Sequence, residues 1–203
     1  MRIGEIITKN SFFALFSRMK YINRWSLMRN TQKESLSHHS LETAAIAHAL
    51  AVIGNRRFGK NYNADRLCVL GLYHDMPEII TGDMPTPIKY YNDEIRRAYG
   101  EIEKNTELSL LNFLPEDMRS AYSELLCSEK VDAELKDLLK AADKISALIK
   151  CIEEKQAGNT EFNAAYDSTL RAIEQSPCPE AKVFLEEFIG AYSLSLDELT
   201  EKI

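Results

Sequence analysis

Four side chains in this sequence could together hold a metal ion: His39, the adjacent pair His74 and Asp75, and Asp143. Imidazole nitrogens mixed with carboxylate oxygens suit a borderline divalent transition metal. Two of each leave room for water on an octahedral ion. Hydrolysis needs such an open position, because a bound water becomes a better nucleophile near neutral pH. The helical period sorts the histidines. His39 and His48 are nine residues apart, about half a turn out of phase, so one straight helix cannot aim both at one ion. His48 lies in the apolar run AIAHAL and is expected to pack structurally. His38 points roughly 100° away from His39 and is expected to be supporting or exposed. Asp143 shares a helical face with Leu139, Ser146 and Ala147. An ionised carboxylate beside an apolar stripe is costly unless compensated. A metal would compensate it, and so would an ion pair with Lys140 or Lys144.

The elements that must carry these groups read as helices. Apolar residues recur at helical spacing in SFFALFSRMKYI, in HHSLETAAIAHALAVIGNR with Ser37 as the expected N-cap, and in NADRLCVLGLYHD, capped by Asn63 or Asp65. The same spacing marks YNDEIRRAYGEIEKNTELSLLNFL, PEDMRSAYSELL with Pro115 at the first helical position, and VDAELKDLLKAADKISALIKCIEEKQAG, which stops on Gly158. EFNAAYDSTLRAIEQ and PEAKVFLEEFIGAYS complete the set. No alternating strand of useful length is found. The expected fold is all-α, with about seven or eight helices in one domain over residues 1–203. Residues 21–37, 54–63 and 80–90 read as irregular. Pro77 interrupts HDMPE: it cannot donate to the Tyr73 carbonyl and disfavours helical geometry at Met76. Either the helix kinks there or a new turn starts at Pro77.

Composition narrows the function classes. The chain has 203 residues, 45% hydrophobic, and a net charge of −6 with no long basic block. Polymeric nucleic acid is therefore not expected as a partner, although a few local cations could hold a small phosphorylated ligand. MRIGEIITKNSFF lacks the apolar core of a signal peptide. The longest mostly apolar run, AAIAHALAVIG, is about half a membrane span. A cytoplasmic protein without membrane association is expected. Cys68, Cys127, Cys151 and Cys178 show no CxxC pairing and are expected as reduced, packed thiols.

The order His39, His74-Asp75, Asp143 in an all-helical chain resembles the HD-domain metal-dependent phosphohydrolases. At closer range SFFALFSRMKYINRWSLMRN, SHHSLETAAIAHALA, YHDMPEIITGDMPTPIKYYN and KAADKISALIKCIEE resemble segments of the bacterial 5′-deoxynucleotidases. The likeness runs from about residue 11 to SLSLDEL, and INRW together with TGDMPTP is its most specific part. It implies an HD-domain helical bundle hydrolysing deoxyribonucleoside 5′-monophosphates to deoxynucleoside and phosphate. It also implies one divalent transition metal per chain (Co, Mn, Fe or Zn) and a homodimer. By position, His39, His74, Asp75 and Asp143 would bind the metal. Arg24 would orient the phosphate, and Trp25 would pack near the sugar and favour the 2′-deoxy form. Glu78 and Asp83 would be the acids at the reacting centre. Asp83, Met84, Pro85 and Thr86 would line the nucleotide site, which His39 also touches. His38 stands where these enzymes often have Glu, and Pro77 where a small non-proline residue is usual.

The chemistry is consistent with these roles. Hydrolysis of a phosphate ester needs a cation against the phosphoryl oxygens, a nucleophilic water and help for the leaving oxygen. The planar fork of Arg24 matches phosphate oxygens. Glu78 follows His74 by four residues, so on a continuing helix it would share the metal-facing side. Gly82 permits a tight turn before Asp83, and Pro85 and Pro87 stiffen the loop beyond it. Lys89 is a weaker candidate for phosphate or ion-pair duty. Two other readings stay open: an HD hydrolase of another nucleotide phosphate, and a non-catalytic nucleotide-binding HD protein.

Overall fold

The computed structural model describes residues 10–89 and 91–201, without the side chains of Thr86 and Ser128. In chain order the α-helices are α1 Phe12–Phe16, α2 Leu36–Arg57, α3 Ala64–Tyr73, α4 Glu78–Thr81, α5 Thr86–Lys89 and α6 Asp93–Leu111. They continue with α7 Glu116–Leu126, α8 Ala133–Gln156, α9 Asn163–Glu174, α10 Pro179–Glu187 and α11 Leu196–Thr200. Short 3-10 segments follow α1, α7 and α10 and precede α9. Seven of the described helices are nine residues or longer, as the periodicity predicts. The only β pairing among the described residues is an isolated antiparallel bridge between Asn23 and Ser35.

Helix ends follow local chemistry. Asn63 accepts from the Arg66 amide at 2.9 Å and Asn92 from the Ile95 amide at 2.8 Å, each satisfying an orphan donor of a first turn. At α2 the cap is Ser35, whose hydroxyl accepts from the His38 amide at 3.2 Å, rather than the expected Ser37. The bridge to Asn23 holds Ser35 extended, so helical geometry begins one residue later. Pro115 likewise sits at the cap of α7, not inside its first turn. Beyond α8, Gly158 has φ +78°. Its amide reaches the Lys155 carbonyl and the Asn159 amide the Glu154 carbonyl, at 3.0 and 2.9 Å, which is a Schellman stop.

The described chain forms two compact units. The first takes the residues through Leu27, then Lys33–Ser40 and Leu72–Asp132. Its core joins Phe12, Met76, Leu110, Leu111, Leu114, Leu126 and Cys127. Aromatic rings line it, with the Phe12 and Tyr122 centroids 5.1 Å apart edge to face. The second takes Met28–Gln32, Leu41–Gly71 and the chain from Ala133 onward, with α8 packed against α9 and α10. In it α3 crosses α2 so closely that a Cβ on Gly71 would lie 2.6 Å from the Ala44 Cα. Glu154, wholly buried on α8, pairs with Lys150. It accepts from the Thr31 amide at 2.9 Å, the Thr31 hydroxyl at 2.8 Å and the Asn159 amide group at 2.7 Å. Burial alone would raise this carboxyl; the bonds from Lys150, Asn159 and Thr31 hold it at about 2 instead.

Two stability outcomes are expected from these contacts. Gly71→Ala should cost about 1–3 kcal/mol, because backbone rather than a flexible side chain must yield; a thermal melt reads this as a lowered Tm. Glu154→Gln strips the charge from a buried pair and should cost about 3–5 kcal/mol. A depressed carboxyl stabilises the fold above its unfolded value and loses that contribution as pH falls through the folded one. Wild-type stability should therefore decline from about pH 4 toward pH 2, a decline the Gln variant lacks in urea melts across that range.

Candidate active site

The first unit brings together the segment around Arg24 and Trp25, the start of α2, the turn after α3 and the loop from Thr81 to Lys89. Helix α3 stops at Tyr73 because Pro77 has no amide hydrogen for the Tyr73 carbonyl. The Met76 amide takes that carbonyl instead, at 3.0 Å. Residues 74–77 form a turn and a new helical turn opens with Pro77 at its cap. Of the two arrangements open to the sequence, the restart is the one adopted. It leaves Glu78 in the first turn of α4, buried.

His39 is wholly buried, and its ring centroid lies 5.3 Å from that of His74. One oxygen of Asp75 faces both rings: Oδ2 is 3.4 Å from His39 Nε2 and 3.1 Å from His74 Nε2. Burial would raise the Asp75 carboxyl, but the two imidazoles beside it hold it well below the usual carboxylate range. Two nitrogens and an anionic oxygen thus converge, a donor set that fits a divalent transition metal. Asp143 lies midway along α8 in the second unit, partly exposed. His38 is exposed, as expected. His48 is not packed: its side chain is 45% accessible, and Nε2 lies 3.8 Å from Asp65 Oδ1. The apolar residues around it in sequence point to other sides of α2.

Arg24 and Trp25 are anchored together. Arg24 Nη1 lies 3.0 Å from Glu34 Oε2 and 2.7 Å from His39 Nδ1. Trp25 Nε1 donates to the same Glu34 oxygen at 2.8 Å, and its backbone amide donates to Asp83 Oδ2 at 3.1 Å. Trp25 has φ +58°, the only described non-glycine residue with positive φ. Such strain persists only where the surroundings enforce it.

The two acids expected at the reacting centre differ in environment. Glu78 is pushed up to about 9, first by burial and then by the negative fields of Asp75 and Asp83, which Lys89 and Arg24 only partly offset. Asp83 is also raised by burial, opposed by Arg24 and the Trp25 amide. Lys89 pairs with Glu103 at 3.0 Å and lies 4.7 Å above the Tyr99 ring. Met84 and Pro85 are half-buried beside Asp83. Thr86 opens α5, and its side chain lies outside the described residues. The residue sequence reasoning missed is Glu34, which in TQKESLSHHS looks like any loop acid.

The fold is that of the HD-domain phosphohydrolase class. An HD-domain phosphohydrolase of Listeria innocua matches with a TM-score of 0.78 at 25% identity, over 94% of this chain and 92% of that one. The cyanophage S-2L HD phosphohydrolase DatZ, solved bound to dA and one catalytic Zn2+ ion, shares the fold at a TM-score of 0.62 and 19% identity, over 87% of this chain and 95% of that one. Within that class the chain belongs to the 5′-deoxynucleotidase YfbR-like family, whose model matches residues 11–192. It is 44% identical to the 5′-deoxynucleotidase YfbR of Escherichia coli over 193 residues, 95% of this chain and 97% of that protein.

The raised Glu78 has a measurable consequence. A carboxyl whose folded value exceeds its unfolded one contributes stability below the unfolded value and loses it as pH rises toward the folded one. Metal-free protein should therefore lose stability between about pH 5 and pH 9. Glu78→Gln, which cannot ionise, should flatten that slope in urea melts; an unchanged slope would place the buried proton elsewhere.

Proposed function

We propose that this chain is a metal-dependent 5′-deoxynucleotidase, a phosphoric monoester hydrolase that converts deoxyribonucleoside 5′-monophosphates to deoxynucleoside and phosphate. The observation that carries the reading is the convergence of His39, His74 and one Asp75 oxygen beside the Arg24–Trp25 pair. The YfbR-like family membership supports it. His39, His74, Asp75 and Asp143 would hold one divalent ion, following the family resemblance. When bound, the ion would polarise the phosphoryl group and lower the pKa of the attacking water.

The chain's own residues do the rest. Arg24 meets the phosphate with a planar, permanently charged fork. Trp25 presents its indole to the sugar, where a bulky ring disfavours an added 2′-hydroxyl by contact. Glu78 and Asp83 would assist proton transfer to the leaving 5′-oxygen, a role that the buried, raised carboxyl of Glu78 supports. Asp83 orients the Trp25 backbone and, with Met84, Pro85 and Thr86, borders the nucleotide. We read residues 1–203 as one functional domain acting as a cytoplasmic homodimer, following the family resemblance. Among the described residues, no helix is long and apolar enough to cross a membrane.

A phosphate-release assay on paired 2′-deoxy- and ribonucleoside 5′-monophosphates with Co, Mn, Fe and Zn tests the reading. Deoxy substrates should turn over at least about tenfold faster, in the range that steric discrimination supplies. Asp143→Ala should lose metal and activity together. No release with any metal would refute the function, equal rates would remove Trp25 from sugar selection, and a metal-replete, active Asp143→Ala would remove that ligand.

A further inference from the structure

One carboxylate oxygen stands between the two residues assigned to phosphate and sugar. Glu34 is buried, with 4% of its surface accessible. Its Oε2 accepts from Arg24 Nη1 at 3.0 Å and from Trp25 Nε1 at 2.8 Å. The backbone delivers it there. The Arg24 amide donates to the Glu34 carbonyl at 3.0 Å and the Leu36 amide to the Ile22 carbonyl at 2.8 Å. Asn23 bridges Ser35 between them. This clip ties the segment bearing Arg24 to the one bearing Glu34 immediately before α2. A buried carboxylate needs such partners, and a charge-assisted hydrogen bond is about twice as strong as a neutral one.

We propose that Glu34 is a positioning residue that sets phosphate anchoring and sugar selection together, by fixing Arg24 and Trp25 on a single oxygen. The proposal rests on the roles given to Arg24 and Trp25 above. Losing Oε2 removes the carboxylate that both donors share and leaves the guanidinium held from the His39 side, at 2.7 Å from Nδ1, so that it can swing off the phosphate line. It also frees the indole from the one orientation that reads the 2′ position. The indole cannot keep its place by backbone preference, because its φ of +58° is itself disfavoured. Glu34 touches no substrate in this scheme, so its removal acts through its two partners; His39 keeps its contact with Arg24 and its place beside Asp75.

Two variants separate the effects. Glu34→Leu removes the acceptor at similar volume. Glu34→Gln keeps an oxygen acceptor and drops the charge. Trp25 is the single tryptophan of the chain, so intrinsic emission reports on it alone, without turnover. In Glu34→Leu the emission should shift, and its quenching by acrylamide should rise about twofold, as an indole N–H that has lost the Glu34 oxygen turns toward solvent. The deoxy-to-ribo ratio of kcat/KM should fall, and the inhibition constant for inorganic phosphate should rise, each about tenfold, at unchanged metal content. Glu34→Gln should weaken inorganic phosphate while leaving the emission near wild type. Wild-type emission, ratio and phosphate inhibition in Glu34→Leu would overturn the proposal. So would a uniform loss on all substrates at an unchanged ratio, which is what a purely structural acid gives. If circular dichroism shows Glu34→Leu unfolded, phosphate inhibition of Glu34→Gln decides, and a wild-type constant there overturns the proposal. If the wild-type chain hydrolyses no nucleotide, the proposed function falls. Emission still decides whether Glu34 holds Trp25.

Discussion

A missing amide hydrogen shapes this site. Pro77 cannot complete the hydrogen bond that would carry α3 onward, so the Tyr73 carbonyl is closed by Met76 instead. That exchange converts four residues from helix to turn. His74 and Asp75 leave the regular ladder, and Glu78 starts afresh in the next turn, buried. A continuous helix would have set His74 and Glu78 one above the other on a single stripe. The break lets them approach the same region from different backbone directions.

The electrostatics depend on how each acid is enclosed. Asp75 lies between two imidazoles and remains an anion; Glu78 has acids beside it and only partial help from Lys89 and Arg24. Carboxyls three residues apart are thus driven to opposite protonation states. One environment favours an anion and the other a neutral acid, the kind of splitting that lets neighbouring carboxyls take separate duties at one pH. Asp83 falls between, since a backbone amide and a guanidinium offset part of its burial.

Much of this is legible in the sequence, for reasons that differ by residue. The helices come from periodicity, and Asn63 and Gly158 start or stop them through short-range bonds that local sequence encodes. The convergence of His39, His74 and Asp75 is foreshadowed by residue type, because few chemistries place imidazole and carboxylate in that order. Glu34 and Glu154 are not. Each is an acid in a polar stretch or on a helix rich in charge, and its burial depends on partners well away in sequence: ten residues for Arg24, 123 for Thr31. His48 misleads in the opposite sense, because apolar neighbours along the chain do not fix which side of a helix is covered. The cap at Ser35 escapes sequence reasoning because it depends on a bridge to Asn23, a pairing that spacing does not announce.

Trp25 carries a further implication for how this chain can change. An indole in left-handed backbone geometry costs on the order of 1–2 kcal/mol, and glycine or asparagine would sit there at less expense. Laboratory selection for heat resistance alone would therefore press on this position, and the gain would come from discarding the ring that Glu34 holds. What keeps tryptophan at residue 25 is on the side-chain side of the balance, in the contact its indole makes with Glu34, and not in the backbone.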